Sequence, residues 1–303
     1  MVKAVQIIGV PIDLGANMRG ANMAPSAVRI AELHHKIHIL GYEIEDLGDL
    51  DVPVRDTLSE DAGRQKYLPQ IHRICEELEE IVHAAAATDR FPIVLGGDHC
   101  IAMGTIAGIS RYYRERNESI GLIWIDAHAD INSPSSSLTG NIHGMPLSVI
   151  MGSGHRELVD VGGFAPKVRP ENIALIGIRM LDGPEKEILR KSGVRYFTMR
   201  EIDERGMASV MKDALAVVSK GTSAVHLSFD LDGVDPLYAP GVSTPVTGGL
   251  SYREAHLALE MLAESGLLRS MEFVELNPMT DLQHKTAQLT VELIQSALGK
   301  SIV

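Results

Sequence analysis

Two cysteines, Cys75 and Cys100, supply all the thiol chemistry in 303 residues. That scarcity excludes a disulfide framework and fits a reducing, cytoplasmic setting. It also leaves no thiolate cluster for a structural zinc. Cys100 follows a candidate ligand, His99, and reads as a small buried filler. No apolar run approaches the ~20 residues that a membrane-spanning helix needs. Basic charge is in deficit: 28 Lys and Arg against 40 Asp and Glu give a formal charge of −12. Such a balance argues against nucleic acid or an anionic membrane as the main partner. The first residues lack the charged region, apolar core and cleavage site of a secretory leader and read as a first strand. Internal repeats, low-complexity tracts and domain linkers are also missing, so residues 1–303 are expected to form a single catalytic domain.

What is present is a chain that is 45% hydrophobic, long enough to bury a large core. Short apolar runs at 4–10, 91–95, 121–126, 173–177, 224–230 and 270–275 read as strands, with weaker ones at 42–46 and 194–198. Amphipathic stretches at 25–33, 67–87, 101–114, 184–191, 208–218, 252–264 and 285–297 read as helices. Ile71, Ile74, Cys75, Leu78, Ile81 and Val82 form one apolar stripe, and Ser251-Tyr-Arg-Glu254 is a capping box. Alternation of this kind predicts an α/β fold of three layers, αβα, around a mostly parallel sheet of about eight strands.

Ligands gather at the carboxyl ends of strands in such sheets. Four strands end there in acids or histidines: Gly96-Gly97-Asp98-His99, Asp126-Ala-His128-Ala-Asp130, Asp230-Leu-Asp232, and Glu275-Leu-Asn277. In an extended chain, residues i, i+2 and i+4 share a side, so Asp126, His128 and Asp130 are expected to converge. Carboxylates packed so closely call for a cation. His99, Asp126, His128, Asp130, Asp230 and Asp232 make a mixed oxygen and nitrogen set that suits Mn²⁺, with Co²⁺, Fe²⁺ or Zn²⁺ possible. Bridging carboxylates let six residues hold two ions, and a pair of ions roughly 3.5–4 Å apart can share a hydroxide near neutral pH. Asp98 reads as structural, and Asp235 before Pro236 as a turn residue. Ser133, Ser135 and Ser136 read as polar loop residues, and the helical and surface-like histidines, His34, His35, His38, His72 and His83 among them, carry no assigned chemistry.

Gly-Gly-Asp-His at 96–99, Asp-Ala-His-Ala-Asp at 126–130, Gly-Asn-Ile-His-Gly-Met-Pro at 140–146 and Ser-Phe-Asp-Leu-Asp-Gly-Val-Asp-Pro at 228–236 resemble the signature blocks of the ureohydrolases. Within that family the likeness is greatest to arginases, and it runs over nearly the whole length. The resemblance implies two Mn²⁺ ions, one on His99, Asp126, Asp130 and Asp230, the other on His128 and Asp232, with Asp126 and Asp230 bridging. It implies a bridging hydroxide attacking L-arginine to yield L-ornithine and urea. Asp130, His143 and Glu275 match catalytic positions: Asp130 orients the nucleophile and passes on its proton, His143 shuttles protons, and Glu275 pairs with the guanidinium. Asn132, Ser137 and Thr139 match positions holding the α-carboxylate, with Asn141 acting through water. Asp182 and Glu185 match the acids near the α-amino group, and Thr244 lines the site. Met180 stands where some arginases carry a second Asp. Homotrimers or homohexamers are the assemblies this family implies. Rival readings are an agmatinase or other guanidino-compound hydrolase, a one-zinc deacetylase, which needs fewer carboxylates, and a metal-dead binding protein.

Overall fold

The computed structural model describes residues 4–58 and 66–301. Eight strands form one sheet: β1 (Ala4–Val10), β2 (Glu43–Asp49), β3 (Phe91–Gly96), β4 (Ile120–Ile125), β5 (Ile173–Ile178), β6 (Arg195–Thr198), β7 (Ala224–Asp230) and β8 (Leu268–Val274). Their order is β2-β1-β3-β8-β7-β4-β5-β6, and every pairing is parallel. The four strands whose ends carry the acids and histidines, β3, β8, β7 and β4, are therefore consecutive neighbours at the centre.

Layering follows from side-chain parity. In β4, Leu122 and Trp124 pack into one apolar cluster with Ile71, Ile74 and Ile106, while Ile123 and Ile125 pack into the other with Val210, Leu259 and Ile294. The first cluster is built on helices α3 (Leu68–Ala87) and α4 (Ala102–Arg114). The second is built on α1 (Ala24–Ile30), α9 (Met207–Val218), α10 (Tyr252–Glu264) and α11 (Lys285–Ala297). All six residues of β4 are buried, as a central parallel strand requires. Each large aliphatic side chain buried this way contributes about 1.5–3 kcal/mol.

The helix expected over 25–33 is two helices, α1 and α2 (Leu33–His38), because Glu32 between them takes a left-handed conformation at φ 67°. The short helices α5 (Pro146–Ile150), α6 (Arg156–Asp160) and α8 (Met199–Arg205) were not legible as apolar stripes. Helix α8 does carry a start signal, since the Thr198 hydroxyl accepts from the Glu201 N–H. The capping boxes at Ser251 and, on α7 (Gly183–Ser192), at Asp182 are both formed.

Candidate metal centre and active site

Beyond Ile125 the chain does not stay extended. The Asp126 N–H donates to Ile176, the His128 N–H donates to its neighbour's carboxylate (Asp126 Oδ1, 2.6 Å), and Asp130 sits at φ 48° in the left-handed region. Asp126, His128 and Asp130 do converge, but through a tight turn around buried Ala127 and Ala129 rather than through strand alternation. Opposite, Glu275 at the end of β8 also adopts positive φ, 65°. Of the eight described non-glycine residues at positive φ, these two lie at the site, and they mark backbone held by its surroundings. Gly97 explains part of that hold. A Cβ there would collide with the Ile12 carbonyl, while its own carbonyl accepts the Glu275 N–H at 2.8 Å. Asp98 fixes the same corner by accepting from the Gly15 and Cys100 N–H groups.

Two groups of ligand atoms lie within 4.8 Å of one another: His99, Asp126 and Asp230 in one, Asp126, His128 and Asp232 in the other. Asp126 belongs to both. His99 Nδ1 is 3.1 Å from Asp130 Oδ2, 3.1 Å from Asp230 Oδ2 and 3.4 Å from Asp126 Oδ2. His128 Nδ1 is 3.0 Å from Asp232 Oδ2 and 3.4 Å from Asp126 Oδ1. All four carboxylates are buried, and the ion pairs they make are with these two imidazoles. Even two imidazolium charges leave part of that negative charge uncompensated, which is costly away from water.

The titration of the groups reflects this crowding. Burial and neighbouring carboxylates push Asp230 well up and Asp232 up, and raise Asp130 to about 6. Burial opposes the charge on His128, yet Asp232 and Asp126 push it up to about 12; His99 is likewise raised by Asp126, Asp130 and Asp230. Asp126 goes the other way, because hydrogen bonding to His128 and His99 outweighs its burial. Shifts of this kind mark a site that favours added positive charge.

His99 shows the fit most directly. Its Nδ1 is buried with no hydrogen-bond partner and faces three carboxylate oxygens. Its Nε2 lies 2.8 Å from Ser228 Oγ, which donates to Glu272 Oε1 at 2.8 Å. A hydroxyl committed to a carboxylate can only accept from the ring, so Nε2 carries a proton and Nδ1 is left to offer its lone pair to a cation in place of a second proton. Trp124 stacks on the same ring at 4.1 Å and donates its Nε1–H to Asp126 Oδ2. Thr244 donates to Asp232 Oδ2 at 2.9 Å.

Ser228, Glu272 and Trp124 had not been singled out from the sequence. A signal existed: His226, Ser228 and Asp230 on β7, and Ser270 and Glu272 on β8, put polar residues at every second position of strands that are buried there. The register sets His226 against Ser270 and Ser228 against Glu272.

Above the ligands lies a cavity of about 140 Å³ lined by His128, Asp130, Asn132, His143, Gly144, Glu185, Asp230, Asp232, Thr244 and Glu275. A larger hollow of about 440 Å³ between α1 and α11 gathers no comparable ligand set, so chemistry rather than volume identifies the site. On the cavity wall His143 Nδ1 is 2.8 Å from Glu275 Oε1, which also accepts the His99 N–H at 2.9 Å. Glu275 Oε2 is buried without a partner. Burial works against the His143 charge, but Glu275 pushes it up to about 9, and His143 in turn holds Glu275 below the usual carboxylate range.

The loop after Asp130 forms a neutral rim. Asn132 Nδ2 donates to Asp182 Oδ2 at 3.0 Å. Ser137 Oγ accepts from the Gly140 N–H and Thr139 Oγ1 from the Asn141 N–H. Each hydroxyl keeps its proton available as a donor. Thr139 and Asn141 line a small adjoining hollow with Gly15 and Arg55 rather than the main cavity. Glu185 is pushed up to about 7, first by burial and then by Asp130. Asp235 is a turn residue, accepting from Leu237, Gly248 and Gly249.

A carboxylate and imidazole cluster at the carboxyl edge of a parallel sheet, built to receive metal ions and opening into a small polar cavity, defines a metal-dependent hydrolase. The Arginase family model matches residues 3–299, and the chain belongs to that family. It is 47% identical to the arginase of Bacillus caldovelox and 48% identical to that of Brevibacillus brevis, each alignment spanning all of both chains. The crystal structure of the Bacillus caldovelox arginase superposes with a TM-score of 0.95 at 47% identity, covering 99% of this chain and 100% of that one.

Proposed function

We propose that this protein hydrolyses the guanidinium group of L-arginine, giving L-ornithine and urea, with two divalent metal ions, Mn²⁺ being the best suited. The observation that carries the reading is Asp126 shared between two ligand groups beneath a polar cavity lined by Asn132, Glu185 and Glu275. His99, Asp126, Asp130 and Asp230 would hold one ion, and His128 and Asp232 would hold the other with Asp126 and Asp230. When bound, the ions supply a water-derived nucleophile at neutral pH and stabilise the charge of the transition state.

The chain's own groups do the rest. Glu275 Oε2, buried and unpartnered, accepts from the planar guanidinium and orients it. Asp130, at the mouth of the ligand cluster, orients the nucleophile and passes on its proton. His143, tied through Nδ1 to Glu275, keeps Nε2 for proton exchange with the leaving amine. Asn132, Ser137 and Thr139 donate to the α-carboxylate, with Asn141 behind them through water. Asp182 and Glu185 receive the α-ammonium, and Thr244 holds Asp232. The relatives' curated name, arginase, supports the substrate. The chain acts as a single catalytic domain in the cytoplasm, assembled as a homotrimer or homohexamer, and among the described residues no helix is long and apolar enough to cross a membrane.

The test is urea release by Mn²⁺-loaded protein with L-arginine and agmatine side by side, repeated with Co²⁺, Fe²⁺ and Zn²⁺. Turnover of arginine alone is expected. Turnover of agmatine alone would overturn the roles given to residues 132–141, since agmatine has no carboxylate.

A further inference from the structure

The geometry points to Ser136 as the positioning residue that sets the enzyme's preference for substrates carrying an α-carboxylate, acting through the Asn132 amide; this rests on the reading of Asn132 above. Ser136 Oγ has two contacts at 2.8 Å: it accepts the Ser133 N–H and donates to Asn132 Oδ1. Its single proton is committed to the amide oxygen, since the Ser133 carbonyl is farther, at 3.4 Å. The opposite edge of the amide faces Asp182 Oδ2 at 3.0 Å, where only an N–H is tolerated.

Both edges of the amide are therefore specified. Its oxygen is held by a hydroxyl, one N–H is held by Asp182, and the second N–H of Nδ2 is left over. A free asparagine could turn its oxygen outward and repel a carboxylate; Asp182 forbids that turn, and the Ser136 hydroxyl holds the amide oxygen in the orientation that Asp182 selects. Ser136 is itself fixed by a tight turn in which the Ser136 and Ser137 N–H groups both donate to the Ser133 carbonyl. Asn132 lines the cavity and Ser136 does not, so Ser136 acts at one remove from substrate.

The test uses Mn²⁺-loaded Ser136→Ala and Ser136→Thr, with L-ornithine and putrescine as competitive ligands that differ by the carboxylate. Losing one neutral hydrogen bond is expected to raise KM for L-arginine and Ki for L-ornithine about fivefold in Ser136→Ala. The Ki for putrescine and kcat should move less than about twofold, and Ser136→Thr, which keeps the hydroxyl, should restore ornithine binding. An unchanged Ki for L-ornithine, or equal weakening of both ligands, would overturn the role of Ser136. Equal affinity of the unaltered enzyme for the two ligands would overturn the carboxylate reading itself, and this inference with it.

Discussion

His143 Nδ1 and Glu275 Oε1 lie 2.8 Å apart, joining a loop after β4 to the end of β8 across the cavity. The pair carries a signed pH dependence. His143 is raised, so its contribution to stability is complete below the unfolded value of about 6.5 and is lost as pH rises through about 9. Glu275 is lowered, so its contribution is present above about 4.3 and is lost as pH falls through its folded value. In metal-free protein the pair is therefore most stabilising between about pH 4.3 and 6.5. Glu275→Gln should bring His143 back from about 9 toward about 6.5, read by NMR titration, and lower turnover at least about 100-fold. A His143 that still titrates near 9 in the variant would remove Glu275 as the cause.

Metal content provides a second check. His99→Asn and His128→Asn should each cost one bound ion per subunit, measured by elemental analysis after dialysis. Full activity with two ions in His128→Asn would sink the ligand assignment. Glu272→Gln leaves every ligand in place but disturbs the hydrogen bond that directs the Ser228 proton. It should weaken metal binding about 10–100-fold, as removal of such supporting groups does. Affinity equal to that of the unaltered protein would mean that packing against Trp124 alone orients His99.

Asn132→Asp places a carboxylate where the rim needs a donor. Like charge against the substrate's carboxylate, and against Asp182 at hydrogen-bonding distance, should raise KM for L-arginine more than it lowers kcat. An unchanged KM would show that this loop does not read the carboxylate.

Much of this site was legible because parallel sheets concentrate function at one edge, and the motifs followed apolar runs. Strand ends at 4–10 and 224–230 are read to the residue, since both strands are buried at every position but Ala4 and apolar residues recur at least at every second position. The turn at 126–130 was not legible. Alternation in sequence looks the same whether the chain extends or folds back, and only the Ile176 carbonyl and the left-handed Asp130 settle which. The buried line from Glu272 through Ser228 to His99 was hidden for another reason. It joins β8 to β7 and β3, and register between distant strands is a property of the folded sheet.

Glu185 gives the last prediction its sign. Its carboxyl is pushed up to about 7, chiefly by burial and next by the charge on Asp130. Its contribution to stability is therefore greatest below about 4.3 and is lost as pH rises through about 7. Binding runs opposite to stability, because an α-ammonium needs the ionised carboxylate. KM for L-arginine should fall as pH rises from 6 to 8, by up to about tenfold if Glu185 alone sets it. Cations bound beside Asp130 would cancel part of that neighbour's charge and shift the midpoint below 7 without reversing the trend. Glu185→Gln should raise KM and flatten its pH profile. A variant whose KM keeps the same slope would assign the pH dependence to another group.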